Sequence, residues 1–355
     1  MNSSDNVSAK NSGKGLHILV IRLSAMGDVA MTVPVLSVLV HKYPELNITV
    51  LTKHFFRPLF SHLPNVTVYE ADLKGVHSGV IGLGTLATEL RDEEIDAVAD
   101  LHDVLRTNVL KSLFYFYGIK FKQIDKGRAE KKALTKEHHK DFKELKSSHQ
   151  RYADVFEELG YPVDLSTYVP PKRRELLPKV YEVVGKQSQK WLGIAPFAQH
   201  ESKCYPADLM EKVISELSEK GNIRIILFGG GESEKEKLEA WEQKFPNTIS
   251  IVGKLRFTEE LSLISNLDAM LSMDSGNAHL AAIYGVPVIS LWGVTHPFTG
   301  FRAFNQPLEN CILPDLVQYP KIPTSVYGNK VPEGYEDVMR SIPPEKVIQK
   351  VLENI

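Results

Sequence analysis

Only two cysteines, Cys204 and Cys311, occur in the 355 residues. They are too few for a disulfide framework or a thiolate zinc cluster, and they fit a reducing cytoplasm. No run of about 18 apolar residues occurs, so no transmembrane helix is expected. Neither sign of charge dominates: 42 Lys and Arg stand against 44 Asp and Glu, for a formal net charge of −2. That balance excludes a strongly basic polyanion binder by bulk charge, and no nucleic-acid partner is expected, although a local basic patch remains compatible with it. Residues 1–15 are polar and lack the apolar stretch of a secretory signal, so they read as a disordered lead-in. No D-x-D pair marks a strand end where a divalent cation would sit, and the turn L-S-A-M-G-D after the first strand lacks the G-x-G-x-x-G of dinucleotide binders. Neither a metal nor a cofactor is expected.

What is present is a β-α alternation. Residues 16–22 (L-H-I-L-V-I-R) form a near-continuous apolar run, as in a parallel-sheet strand covered on both faces. Strand-like segments follow at 47–51, 66–70 and 97–101, with helical ones at 55–62, 85–92 and 106–117. From 120 to 146 the pattern gives way to ten lysines and arginines interleaved with Asp and Glu. That stretch reads either as a mobile basic segment or as a solvated helix face. A helix at 149–160, a proline-punctuated linker and a second β-α series then follow. The expected class is α/β with parallel sheets. The expected domains are 16–180 and 181–340, closed by a C-terminal helix in 341–355 that starts at proline.

Two junctions carry the chemistry. In residues 267–293 a strand at 268–272 runs into Asp274-Ser275-Gly276, then a helix at 277–284 and a strand from Val288. Such a turn aims backbone N–H groups and the helix dipole at an anion, with His279 on the first turn. An ordinary capped βαβ helix has the same pattern. In S-A-M-G-D, Asp28 is expected to open a helix reaching residue 43, with Pro34 as an interior kink. A carboxylate at a strand-to-helix junction lies where open α/β sheets bind ligands. It suits either a base or an N-cap.

Residues 22–34 (R-L-S-A-M-G-D-V-A-M-T-V-P) and 273–295 (M-D-S-G-N-A-H-L-A-A-I-Y-G-V-P-V-I-S-L-W-G-V-T) together resemble the bacterial heptosyltransferases, glycosyltransferase family 9. D-L-H-D-V-L-R-T (100–107), H-Q-R-Y (149–152) and F-G-G-G-E (228–232) follow as further landmarks in the family's order. The resemblance implies a GT-B fold of two Rossmann-like domains facing across a cleft, an N-terminal acceptor domain and a C-terminal nucleotide-sugar donor domain. It implies transfer of heptose, with inversion, from ADP-heptose to the Kdo/heptose inner core of lipopolysaccharide. By the same resemblance, Asp28 is the general base, Lys203 meets the donor phosphates, Glu232 contacts the nucleoside, and Asp274, Ser275, Gly276 and His279 form the donor turn. Lys203 otherwise reads as a surface lysine and Glu232 as charge complementing a helix start.

The anionic acceptor implied by the family would find Arg106, Lys126 and Arg128 as candidate partners. The enzyme would then work at the cytoplasmic face of the inner membrane by peripheral contact. Alternatives are a family 9 transferase with another nucleotide-sugar donor, or a non-catalytic nucleotide-sugar-binding protein on the same fold. Residues 297–340 follow no recognisable pattern.

Overall fold

The computed structural model describes residues 15–355. The expected lead-in therefore lies outside the described residues, apart from Gly15. The first half runs β1 (His17–Ile21), α1 (Met26–Ala30), α2 (Thr32–Lys42), β2 (Asn47–Thr52), β3 (Val66–Glu70), α3 (Gly79–Asp92), β4 (Ala97–Asp100), α4 (Leu105–Phe116), β5 (Lys120–Gln123), α5 (Arg128–Leu134) and α6 (Ser148–Leu159). The second runs α7 (Pro178–Val184), β6 (Lys190–Ala195), α8 (Ala207–Glu219), β7 (Ile223–Leu227), α9 (Glu232–Lys244), β8 (Thr248–Ser250), α10 (Phe257–Ile264), β9 (Ala269–Met273), α11 (Gly276–Ile283), β10 (Val288–Leu291), β11 (Cys311–Ile312) and α12 (Pro344–Asn354).

Two compact units result. One holds 15–24, Val35–Ile124 and Tyr152–Tyr168; the other holds Ala25–Pro34, Asp125–Arg151 and Val169–Ile355. The chain thus returns to the second unit at 25–34 and again at 125–151, so the units are not two consecutive stretches of sequence.

In the first unit, five parallel strands lie in the order β3-β2-β1-β4-β5. Leu19, Ile21, Leu51 and Val98 pack against Leu83, Leu86 and Leu90 of α3 and Leu110 and Phe114 of α4. In the second unit, six parallel strands lie in the order β11-β10-β9-β6-β7-β8. Ile194, Leu227 and Leu271 lie in one core with Met210, Val213 and Leu217 of α8 and Val347 and Val351 of α12. The apolar residues of α12 recur at helical spacing, which is why that segment was legible as a helix.

Two local expectations change. Residues 120–123 are a strand, β5, paired in register with β4 (Val98 opposite Phe121); its alternating Lys-Phe-Lys suits an edge strand rather than the interior runs of the other strands. The single helix expected from Asp28 is two. α1 ends at Ala30 and α2 begins at Thr32, so Pro34 sits in the first turn of α2, where a missing N–H breaks no intrahelical bond.

Each sheet has a switch point where the strand order reverses: between β1 and β4 in the first unit, and between β6 and β9 in the second. The crevice beyond the carboxyl ends of such a strand pair is where open α/β sheets bind ligands. In the first unit, the buried Asp100 carboxylate accepts the N–H groups of His102 (2.9 Å) and Asp103 (3.2 Å) and the Gln123 amide (2.8 Å), and so shapes the turn after β4. Beside it, the Arg22 guanidinium donates to the Leu101 carbonyl at 2.6 Å.

Candidate active site

The site grows from the switch point of the second sheet. β6 and β9 are hydrogen-bonded neighbours, with Ala195 opposite Ser272. The loop after β6 delivers Lys203, and the turn after β9 delivers Asp274. The Lys203 Nζ lies 3.0 Å from Asp274 Oδ2, with both side chains nearly buried. The Thr295 hydroxyl donates to the same carboxylate oxygen at 3.0 Å. Asp274 is therefore not a helix cap, as its position in the turn suggested; it is the counter-ion that aims Lys203. Lys203 is not a solvated surface lysine.

The N-cap of α11 is Ser275, in extended conformation and with no side-chain capping bond; its hydroxyl instead meets that of Ser272 at 3.1 Å. Ser275 thus caps none of the first N–H groups of α11, the groups an anion site at a helix start would use. Gly276 has no left-handed backbone, so a tight turn is not its purpose. A Cβ there would stand 2.6 Å from Met26 Cε and 3.5 Å from the Gly27 nitrogen. A Cβ on Gly27 would in turn stand 3.0 Å from His279 Cδ2. The two glycines let α1 lie directly on α11, and this contact carries Asp28 to the site.

Asp28 is the third residue of α1, and its Oδ2 accepts the Ala25 N–H at 3.2 Å. It closes the helix from inside rather than as the N-cap, and it remains half-buried beside the cavity. Asp28, Lys203, Asp274, Ser275, Gly276 and His279 all line one cavity of about 410 Å³, together with Met31, Gln199, His200, Phe301, Val326, Tyr327 and Asn329. That volume falls in the ordinary range for small-ligand sites.

Burial pushes the His279 imidazole below its ordinary value, against the opposing pull of the Asp274 and Asp28 carboxylates. Its Nδ1 is buried, with no hydrogen-bond partner among the described residues. Behind it lies His149, whose ring centroid is 6.3 Å from that of His279 and 4.8 Å from that of Phe304. Burial first, and His279 second, depress His149 to about 3. Both rings are neutral near pH 7, so His279 can present a hydrogen bond without adding a second cation beside Lys203.

The remaining candidates lie elsewhere. Glu232 opens α9, is exposed and pairs with Lys235 at 3.2 Å, and it does not line the cavity. The carboxylate that reaches back over that turn is Glu234, which accepts the Gly230 N–H at 2.8 Å. Arg106 is exposed on the first turn of α4 in the first unit. Lys126 and Arg128 flank Gly127 at the start of α5, and neither lines the cavity.

The Lys-rich segment is neither a mobile tether nor only a solvated face. The Lys140 ammonium donates to the carbonyls of Lys321 and Pro323, and its partial burial lowers its pKa. Glu137 pairs with Lys321 at 2.5 Å and Glu144 with Arg302 at 3.3 Å. The Leu145 and Ser148 N–H groups donate to the Phe298 and Gly300 carbonyls at 3.0 and 2.8 Å. The segment straps down the chain that carries Phe301, Val326, Tyr327 and Asn329 to the cavity.

Those four lining residues escaped the sequence reading because they come from irregular chain whose shape depends on the strap. One signal was present: Gly328 in Y-G-N has φ +88°, and a Cβ there would stand 2.5 Å from Lys203 Cδ. Only glycine both adopts that conformation and leaves room for the lysine stem.

The family model described as glycosyltransferase family 9 (heptosyltransferase) matches residues 83–327. The chain is 27% identical, over 95% of its own length and 99% of the relative's, to lipooligosaccharide heptosyltransferase 2 of Haemophilus influenzae. Among solved structures it is similar to a family 9 glycosyltransferase from Veillonella parvula, at 20% identity and TM-score 0.74, covering 97% and 98% of the two chains. It is also similar to an E. coli heptosyltransferase solved with ADP-2-deoxy-2-fluoro heptose, at 18% identity and TM-score 0.65, covering 96% and 100%. These likenesses establish the GT-B fold read from the sequence.

Proposed function

The chain belongs to glycosyltransferase family 9 and is a glycosyltransferase, and from that premise we propose that it transfers heptose from ADP-heptose to the inner core of a lipopolysaccharide precursor. The observation that carries this reading is that Asp28 and the Lys203–Asp274 pair line the same cavity as the N-terminus of α11. One wall offers a proton acceptor and the other offers positive charge. The names of its relatives supply the sugar and the pathway: they are lipooligosaccharide and lipopolysaccharide heptosyltransferases.

In the proposed reaction the acceptor hydroxyl gives its proton to the Asp28 carboxylate as its oxygen bonds to the sugar's anomeric carbon. The bond from that carbon to the diphosphate oxygen breaks on the opposite face, so configuration inverts. One base and leaving-group stabilisation are enough for such a single displacement, by analogy with inverting glycosidases. Charge growing on ADP is met by Lys203, by the α11 N–H groups at Ser275 and Gly276 and by neutral His279 as a donor. This arrangement would let the transfer proceed without a bound metal. Glu232, exposed on the first turn of α9, is proposed to reach the nucleoside. Arg106, Lys126 and Arg128 are proposed for the anionic acceptor, presented at the cytoplasmic face of the inner membrane.

The test is turnover of ADP-heptose with a deacylated Kdo-bearing acceptor in EDTA, for the wild type and Asp28→Asn. The expected result is ADP release with acceptor mass gain in the wild type, and a kcat lower by about 10²–10⁴ in the variant with ADP binding retained. Wild-type ADP binding without transfer would reject the acceptor or the sugar; loss of ADP binding would reject the site.

A further inference from the structure

We propose that Phe301 and Tyr327 form a stacking platform for the pyranose ring of the donor and set the sugar preference of the site; this deepens the transferase reading above and rests on it. Both rings line the cavity that holds Asp28 and Lys203. Their centroids are 5.8 Å apart and their planes are inclined by 53°, so together they make a bent aromatic wall.

The order of the strands decides which part of a nucleotide sugar meets that wall. Across the middle of the second sheet it runs β10-β9-β6-β7. The diphosphate is proposed to sit beyond β9 and β6, at the Asp274 turn and Lys203, with the nucleoside toward Glu232, which follows β7. The far end of the diphosphate then points to the chain after β10. Phe301 lies in that chain, and the segment leading to Tyr327 is tied to it by the Thr324 N–H, which donates to the Val294 carbonyl at 3.0 Å. The group at that end of the donor is the sugar. An aromatic face is electron-rich, and the axial C–H bonds on one face of a pyranose are polarised positive, so the two stack.

The wall is built before a ligand arrives. The Ser202 hydroxyl, next to Lys203, donates to the Gly328 carbonyl. The buried Ser325 hydroxyl accepts the Gly328 N–H at 2.9 Å and donates to Asn329 Oδ1 at 3.0 Å, which leaves the Asn329 amide nitrogen to donate to a sugar hydroxyl. The loop is thus held on both sides of Tyr327, yet Tyr327 itself is 53% exposed. Phe301 is held from behind: the Lys131 Nζ stands 4.3 Å from its ring centroid and does not line the cavity. An aromatic surface left in water on an already ordered loop loses little freedom when a ligand covers it.

The test is calorimetry of the full chain with ADP, ADP-heptose and ADP-glucose in the absence of acceptor, which reads what the sugar adds to ADP affinity. The wild type should bind one of the two ADP-sugars more tightly than ADP. Tyr327→Ala should reduce that gain roughly tenfold, with ADP affinity and melting temperature unchanged. Phe301→Leu, which keeps apolar bulk beside Lys131, should lose part of the gain, and Tyr327→Phe should restore most of it. In turnover, Tyr327→Ala should raise the donor KM and leave the acceptor KM as it is. A gain that survives in both Tyr327→Ala and Phe301→Leu overturns the proposal, as does a wild type that binds both ADP-sugars no better than ADP. An equal loss of ADP affinity in the variants overturns it too, because the rings would then serve the nucleotide; so does an effect confined to the acceptor KM. A gain that depends on the two rings, without transfer to the Kdo-bearing acceptor, rejects the heptosyl-transfer reading and leaves the platform standing.

Discussion

The Lys203 ammonium is held 3.0 Å from the Asp274 carboxylate, although one residue follows β6 and the other follows β9. The pair exists because the two strands are neighbours at the point where the strand order reverses. It places a cation whose own counter-ion is fixed by Thr295.

Removing one partner leaves the other charge nearly buried and alone. Lys203→Met and Asp274→Leu should each destabilise the protein by about 3 kcal/mol. The double variant should be less unstable than the sum of the singles. Both single variants should lose ADP affinity in calorimetry: the first loses the cation and the second its aim. An additive double variant, or an Asp274→Leu protein with unchanged ADP affinity, contradicts the orienting role.

Gly293 should be intolerant of even a methyl group. A Cβ there would stand 2.0 Å from the Ser202 carbonyl oxygen, which is backbone and cannot rotate away. Gly293→Ala should cost about 1–3 kcal/mol and shift the loop that carries Lys203. Thermal melts and ADP titration check the two effects separately. Unchanged values in both would show that the approach is not tight.

Acidification should weaken the fold through buried neutral histidines. Burial holds His149 near 3 and His296 near 4, the latter with help from the Lys140 charge. Unfolded, both titrate near 6.5. Between pH 6.5 and about 4 the unfolded chain binds protons that the folded chain refuses, so stability falls as pH falls. The slope is up to about 1.4 kcal/mol per pH unit for each ring. Denaturant midpoints across this range should show it, and His149→Phe should flatten it. An unchanged slope in His149→Phe would exclude that ring as a source.

Glu260 has the opposite sign. Burial raises its carboxyl to about 7, above the ordinary carboxylate range. The folded chain therefore keeps a proton that the unfolded chain has lost, and stability declines as pH rises from about 4.5 to 7. Glu260→Gln should stabilise the protein on the order of 2 kcal/mol at pH 8 and little at pH 4. Equal effects at both pH values would exclude desolvation of the carboxylate as the cause.

Strands β1, β2 and β9, the helix α12, and the turn from Asp274 to His279 were readable from residues alone. Each rests on local physics: apolar runs that can only be buried strands, a 3.6-residue period, and cap-type residues at a junction. Those same signals placed Asp28 and the β9–α11 turn at strand ends. The partner of each side chain was not legible. Asp274 is a plausible N-cap in sequence and a counter-ion in space, because its oxygen meets Lys203 and Thr295 from distant loops. Gly276 reads as a turn residue and serves close packing against α1. The ten-cation run reads either as a mobile basic segment or as a solvated helix face, yet Lys140 finds two carbonyls in a segment with no pattern of its own. Local propensity sets what one stretch of chain does; long-range contact sets which polar groups leave water together, and no periodicity in the chain encodes that choice.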